Sequence, residues 1–375
     1  MPQLSIQPLS PILSALSAAQ PFPNSQTLVN THLHPLPDLR SALPTSCLLP
    51  SSPAQRPQIL FSPWLPLIQQ SQHLSPTSVH QILLSPLYVT TLLRAARSGY
   101  STRHLNASDE EDLDELFPRT TIDGLDIDSL FSSIDSKTGE PRKRFLRLDP
   151  CSPKDSIYDP GPSFGQHSGK DGEHRRYHAG RDPVCRKQEI WQRLATSQRA
   201  VQGIEELRSK GEEVRIFLMP WREEVVGGGS EFRVFCPPDV DRPGKTKIAA
   251  VSQYVWFRAS PIFEVCETEE LVKAMVDKIF EGIEGLYGRI VGSEAMTREM
   301  GRWGFTFDVW VDVKGSGEVQ LVELNAFGGE TGCGSCLFNW LKDARVLYGC
   351  EKEVEFRILR DDREDKFEWA QVSDL

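Results

Sequence analysis

The chain has 375 residues, a formal net charge of -10 and a mean hydropathy of -0.36. This length allows one large domain or two smaller ones, and the acidity argues against nucleic-acid binding. No run of about 18 apolar residues is present, which argues against a transmembrane helix. The first residues lack a basic stretch followed by an apolar core, so we expect no secretory signal and a cytoplasmic protein.

Three segments have compositions typical of chain outside a folded core. Residues 1–57 are rich in Pro, Ser and Leu and contain neither Lys nor Glu, which predicts a disordered tail. Residues 159–184 are rich in Gly, His and Arg without apolar periodicity, which predicts a mobile loop. Residues 361–375 are predicted to be an acidic tail, so the folded domain is predicted to cover residues 58–360.

The first half of this domain is predicted to be mostly helical. The apolar pattern of residues 78–96 predicts one or two helices, whereas the acidic stretch 108–117 predicts a loop or a solvated face. A short helix is predicted within residues 127–142, and RFLRL at residues 144–148 predicts a strand. Apolar residues at helical spacing predict one long helix over residues 187–210.

The second half is predicted to be richer in strands. Residues 214–221, 231–236 and 248–257 are apolar or alternating runs separated by turn sequences, which predicts an antiparallel meander. A capped amphipathic helix is predicted to begin at Thr268. Residues 354–359 predict an edge strand near the end of the chain.

Residues 304–340 carry the strongest chemical signal in the sequence. They predict two strands joined by a Gly-Ser-Gly turn, with Asp308 in the first strand and Glu323 and Asn325 in the second. Residues two apart on a strand share a face, and a hairpin places Asp308 beside them. Two carboxylates and an amide oxygen suit Mg²⁺ holding nucleotide phosphates. The alternative is a hairpin with ordinary exposed acids.

The eight cysteines are widely spaced, and only Cys333 and Cys336 form a CxxC pair. A single CxxC without a second pair is a weak indication of zinc. We therefore expect thiols in a reducing cytosol.

Six stretches are similar, in the same order, to motifs of the cell division cycle protein 123 family, and they extend over about residues 58–350. They are FSPWLPL (Phe61–Leu67), SPKD (Ser152–Asp155), EFRVF (Glu231–Phe235), SQYVWF (Ser252–Phe257), FDVWVD (Phe307–Asp312) and VELNAFGGET…LFNW (Val322–Trp340). The resemblance implies an α+β, ATP-grasp-like fold. In that fold two α/β subdomains with antiparallel sheets enclose a nucleotide cleft.

The same resemblance implies ATP and Mg²⁺ as ligands and assigns roles to particular residues. Asp308, Glu323 and Asn325 correspond to the metal ligands under the phosphates. Arg233 corresponds to a phosphate contact from the facing strand. Lys154 is a further candidate phosphate contact, and the strand Phe217-Leu218-Met219 resembles the hinge that meets the adenine edge.

The sequence departs from the family pattern at two places, and the first concerns the phosphate end of the site. A lysine before two serines is expected, but the sequence has LATS, with Ala195 at the lysine position. Lys154, Lys187 and Arg193 are the candidates to replace it. A Gly/Cys-rich insertion at residues 331–336 also follows the NAFGGE sequence.

The resemblance implies an ATP-binding assembly chaperone of eukaryotic translation initiation factor 2 that docks on its gamma subunit, with no nucleic-acid or membrane partner. One alternative is an ATP-grasp carboxylate–amine ligase that activates an acid as an acyl phosphate. Another is a relic that no longer binds nucleotide. The sequence contains no evident hydrolase arrangement.

Overall fold

The computed structural model describes residues 1–12, 34–45, 47, 49–52, 55–102, 105–132, 139, 142–158, 182–226 and 230–362. The chain divides into two compact units. The first unit is Met1–Ile59, Gln70–Gln72 and Gly227–Leu375, and the second is Leu60–Gln69 and His73–Val226. The fold is mixed α+β, with one sheet in each unit.

The strands are β1 (Gln3–Pro8), β2 (His80–Leu84), β3 (Arg144–Leu148), β4 (Val214–Pro220), β5 (Glu231–Cys236), β6 (Ala250–Gln253), β7 (Phe305–Val311), β8 (Val319–Ala326) and β9 (Glu355–Arg360). The helices are α1 (Leu36–Ala42), α2 (Leu65–Ser71), α3 (Pro86–Thr102), α4 (Ala107–Leu116), α5 (Ile127–Ser132), α6 (Gln188–Ala195), α7 (Gln198–Lys210), α8 (Glu223–Val226), α9 (Ile262–Val265), α10 (Glu269–Val291), α11 (Arg298–Trp303) and α12 (Ala344–Leu347). None of the described helices combines the length and apolar character that crossing a bilayer requires.

The first unit is built on a six-stranded sheet in the order β1-β9-β6-β5-β7-β8. The β7–β8 hairpin, the strand β5 and the helix α10 agree with their predictions, and the Thr268 hydroxyl caps α10 by accepting from the Leu271 N–H. The prediction of an antiparallel sheet is wrong in part, because β9 pairs parallel with both β1 and β6. For the same reason β9 is an interior strand and not an edge strand.

The N-terminal residues are part of this sheet. The predicted disordered tail is wrong for β1, whose residues Gln3–Pro8 pair along their whole length with β9. It is also wrong for α1, where Leu36 and Leu39 are buried, and for Arg56, whose Nε donates to Glu330 Oε1 at 2.7 Å. Composition alone does not reveal these anchors, since their partners are far away along the chain: Gln3 pairs with Glu355, and Arg56 contacts Glu330, 274 positions away.

The second unit is built on a three-stranded antiparallel sheet in the order β2-β4-β3. β3 was predicted, and β4 matches the run at residues 214–221. The predicted antiparallel meander is wrong in part: β5 and β6 pair antiparallel as predicted, in the first unit, but β4 pairs with β2 and β3 of the second unit. The core of the second unit is formed by one face of this sheet and residues of α3, α6 and α7, among them Tyr88, Leu92, Trp191 and Ile204.

Three further predictions for the second unit are refined. Residues 78–96 contain a strand, β2, before the helix α3. The acidic stretch 108–117 is largely the helix α4, capped by the Asn106 side chain. The single helix predicted over residues 187–210 is two helices, α6 and α7, because Ser197 acts as an N-cap for Ala200 N–H. Most of the predicted loop 159–184 and nearly all of the tail 361–375 lie outside the described residues.

Candidate functional site

One face of the six-stranded sheet carries a row of polar residues, one from each strand. The pairing registers align Ser5, Arg357, Ser252, Arg233, Asp308 and Glu323, which we call the polar row. In each strand, the residue next to the polar one points to the other face of the sheet. There the registers align Leu4, Phe356, Val251, Val234, Phe307 and Leu324, which we call the apolar row.

The centre of the polar row is a buried ion pair between Arg233 on β5 and Asp308 on β7. Arg233 Nε and Nη2 each donate to one Asp308 carboxylate oxygen at 2.7 Å, a bidentate geometry. Arg233 is 5 % exposed and Asp308 is 0 % exposed. Burial, the largest single cause, lowers the pKa of Arg233, but the Asp308 charge, the nearby Cys333 and the hydrogen bonds to Asp308 together outweigh it and raise that pKa well above its ordinary value. The guanidinium is therefore firmly charged.

The end of the row on β8 holds the other two predicted metal ligands. Glu323 lies opposite Asp308 in the register, and Asn325 lies opposite Thr306. Asn325 is half-buried, and its Nδ2 donates to Glu323 Oε1 at 3.4 Å, so this contact does not use the amide oxygen. A register shift follows Asp308 at Val309. Such irregularities change the direction of side chains on a strand, and this one lies next to Asp308 in the polar row.

The segment after β8, residues 333–343, contacts the middle of the polar row, on β5, β6 and β9; we call it the covering segment. Arg233 Nη1 donates to the Gly334 carbonyl at 2.9 Å. The Leu337 N–H donates to Ser252 Oγ at 2.9 Å. Arg357 donates to both carboxylate oxygens of Asp343 at 3.0 and 2.9 Å. The inserted Gly/Cys-rich sequence thus contributes hydrogen-bond acceptors for the arginine of the predicted site.

The CxxC pair lies within or next to these contacts. Cys333 and Cys336 are both buried, and the Arg233 Nη1 approaches Cys333 Sγ at 3.4 Å. Burial raises the pKa of the Cys333 thiol, with partial compensation from Arg233, and burial also raises the pKa of Cys336. Both groups are therefore held as neutral thiols.

The donor chemistry of Asp308, Glu323 and Asn325 fits Mg²⁺, with one condition. Among the described residues, no group of three or more His, Cys, Asp or Glu side chains is placed to hold a metal ion. The predicted ligands are two carboxylates and one amide, so they do not amount to three such side chains. Mg²⁺ commonly takes only one or two carboxylates and keeps several waters. Both Asp308 oxygens already accept from Arg233, so Asp308 would have to share its remaining lone pairs.

The other predicted contacts, Lys154 and Phe217–Met219, belong to the second unit. Leu218 faces the core of that unit, whereas Phe217 and Met219 lie on the opposite face of β4. Phe217 packs edge-on against Phe61, with ring centroids 5.0 Å apart. A backbone hinge role for this strand stays a prediction.

The LATS sequence lies at the junction of α6 and α7 and not in a strand. Ala195 is the buried last residue of α6, and Ser197 Oγ donates to Asp155 Oδ1 at 2.5 Å. This contact joins the turn that carries Lys154 to the residues just after Ala195. The other two candidates are engaged elsewhere. Lys187 pairs with Asp114 and Asp128, and Arg193 donates to backbone carbonyls, one of them Pro183 O at 2.8 Å.

Sequence reasoning missed four residues that the registers place. Ser5, Ser252 and Arg357 complete the polar row. Arg147 lies opposite Phe217 in the second unit, with its guanidinium 4.6 Å from the Phe61 ring centroid. Alternation within RFLRL and VEFRIL was visible in the sequence, since each puts an arginine among apolar residues. The sequence did not show which strands pair with these two.

Compared with known proteins, the chain matches no protein-family model and no curated protein.

Proposed function

We propose that the chain binds ATP with Mg²⁺ at the polar row and acts as an assembly chaperone of eukaryotic translation initiation factor 2. The observation that supports this most is the register of β5, β7 and β8. It aligns Arg233, Asp308 and Glu323, with Asn325 two residues further on β8. The six ordered motifs of the sequence support the choice of partner, the gamma subunit. The cytoplasm is the proposed compartment.

In this proposal, the buried Glu323 and the half-buried Asn325 supply oxygen ligands from β8, and Asp308 contributes while it remains paired with Arg233. Arg233 orients Asp308 through two hydrogen bonds, and its positive charge favours phosphate oxygens nearby. Bound Mg²⁺ would neutralise phosphate charge. Lys154 is the proposed replacement for the lysine expected at Ala195, because its turn contacts the residues that follow Ala195.

A thermal-shift measurement tests the ligand. A ligand that binds only the folded state at 100 times its Kd adds about 2.7 kcal/mol to stability, so ATP with Mg²⁺ should raise the Tm. Asn325→Ala should abolish most of that rise. Gln320→Ala removes an amide side chain from the same strand, so it is the matched control and should keep the rise in Tm. If neither ATP nor ADP with Mg²⁺ changes the Tm of the wild-type chain, the metal site is refuted.

A binding assay tests the partner. The gamma subunit of the initiation factor should be retained by the wild-type chain with ATP-Mg²⁺, and retention should fall for Asn325→Ala but not for Gln320→Ala. No retention, together with ADP release only when an acid and an amine are supplied, would replace the chaperone by the ligase. If ATP raises the Tm but the chain neither retains the gamma subunit nor releases ADP, the chain binds ATP and both proposed activities are rejected.

A further inference from the structure

Two cysteines from opposite parts of the chain meet in the first unit. Cys47 follows the helix Leu36–Ala42, Cys350 follows the helix Ala344–Leu347, and their sulfur atoms are 3.0 Å apart although 303 positions separate the residues. We propose that Cys47 and Cys350 are a reversible disulfide site, oxidised by exchange with a small disulfide such as glutathione disulfide. The proposal does not depend on nucleotide binding.

The distance between the sulfur atoms favours a disulfide over a metal. Thiolates on a tetrahedral zinc ion, with Zn–S bonds of about 2.3 Å, are held roughly 3.8 Å apart. The observed 3.0 Å is shorter than that separation, and among the described residues no third His, Cys, Asp or Glu side chain joins the pair as a metal ligand; the bond of a disulfide is about 2.05 Å long. Forming the bond therefore requires the sulfur atoms to approach by roughly 1 Å, whereas a metal would require them to separate.

Both cysteines are held in place by their surroundings. The Cys47 N–H donates to the Pro44 carbonyl at 3.0 Å, and the Cys350 N–H donates to the Arg345 carbonyl at 2.8 Å. Both side chains pack against one apolar cluster formed by the two helices and the covering segment, including Leu39, Leu43, Trp340, Ala344 and Leu347. Two thiols held in contact react as an intramolecular pair with a high effective concentration.

The pair is accessible, and Cys47 has a raised pKa. Both residues are half-buried, so a small oxidant can reach them. Burial, then the hydrogen bond to Cys350, raises the pKa of Cys47 to about 12, and the positive charges of Arg345 and Lys247 offset part of this effect. Because the thiolate is the attacking form, exchange should accelerate as the pH rises.

The exchange balances without any further reactant. One thiol loses its proton and attacks a sulfur of glutathione disulfide, which forms a mixed disulfide and releases one glutathione thiolate. The second protein thiol then loses its proton, attacks the protein sulfur of the mixed disulfide and releases the second glutathione thiolate. The two protons end on the two glutathione molecules, so two protein thiols are oxidised and one glutathione disulfide is reduced.

Peptide mapping of the full chain tests the proposal. The protein is equilibrated with glutathione disulfide and glutathione, its remaining thiols are alkylated, and it is digested without reduction. We expect one cross-linked peptide that contains Cys47 and Cys350. We also expect the Tm to rise by about 5 °C or more, because the bond closes a very long loop, and the rise should vanish on reduction with dithiothreitol.

Matched variants give the control. Cys350→Ser should lose both the cross-linked peptide and the Tm rise, whereas Cys151→Ser, which removes a half-buried thiol of the second unit, should keep both. If the wild-type peptide map shows Cys47 and Cys350 alkylated as fully as Cys151, or joined to other cysteines, the proposal is overturned. The wild-type map alone decides this even if a variant fails to fold.

Discussion

The polar row and the apolar row lie on opposite faces of the same six strands and are built from neighbouring residues. Phe307 and Asp308 are adjacent in the chain, and both are fully buried. The apolar row needs only contact area, because its members gain stability by leaving water. The polar row needs specific partners, since a buried charge without one is costly. The two faces therefore respond differently to the loss of one side chain.

The largest expected effect is on the polar row. Asp308→Ala leaves the Arg233 guanidinium buried without its bidentate partner, which should destabilise the first unit by about 3–5 kcal/mol. Denaturant unfolding followed by circular dichroism measures this cost. The double variant Arg233→Met with Asp308→Leu removes both charges and should recover most of the stability, because a buried ion pair and an apolar replacement are often equivalent. A double variant as unstable as the single one would contradict this account.

A substitution in the apolar row should have a slightly smaller effect, with no equivalent rescue. Leu324→Ala removes a buried side chain of β8 and leaves a cavity, with an expected cost of roughly 3 kcal/mol. Its neighbour Glu323 points to the other face, so the Tm rise with ATP and Mg²⁺ should survive in the folded fraction. Loss of the ligand response in Leu324→Ala, at a temperature where the protein is folded, would show that the two faces are not independent.

The packing of α10 on the apolar face gives a smaller and more local test. A Cβ added at Gly282 would lie 2.5 Å from Val319 Cγ2, whereas one added at Gly285 on the same helix meets nothing within 4 Å. Gly282→Ala should therefore cost about 1–3 kcal/mol through overpacking. Gly285→Ala should stabilise by about 0.5–1 kcal/mol, because alanine is the better helix former. Equal effects of the two variants in thermal unfolding would contradict the close contact with β8.

The sequence predicted the strands that carry both rows better than it predicted their arrangement. Alternation within EFRVFC and FTFDVWV fixed which residues share a face, and both strands are found within the expected bounds. Pairing between β1 and β9 joins residues about 350 positions apart, and nothing local to either strand specifies that register. The predicted meander is wrong for β4 for the same reason, because chain order does not determine which sheet a strand joins.

In the candidate site too, the local features were predicted from the sequence and the long-range contacts were not. The hairpin is local, so the proximity of Asp308, Glu323 and Asn325 followed from spacing within one stretch of sequence. The contacts of the Arg233 guanidinium were harder to predict from the sequence. Its predicted contact was a phosphate, but all three of its guanidinium nitrogens donate to protein atoms, two of them to Asp308. That arrangement depends on the covering segment, whose inserted residues have no regular pattern to read.

The smallest predicted effect concerns the support of the apolar face at the start of α10. The Thr268 hydroxyl accepts from the Leu271 N–H at 3.4 Å, which is long for a hydrogen bond. Thr268→Ala should therefore cost only about 0.5–1 kcal/mol, the lower part of the range for N-caps, and Thr268→Ser should restore most of it by keeping the hydroxyl. Because α10 contacts the apolar face and not the polar row, neither variant should alter the ATP-dependent change in Tm. A cap variant that lost this response would show that the helix acts on the polar row through the sheet, and the separation of the two faces would then be wrong.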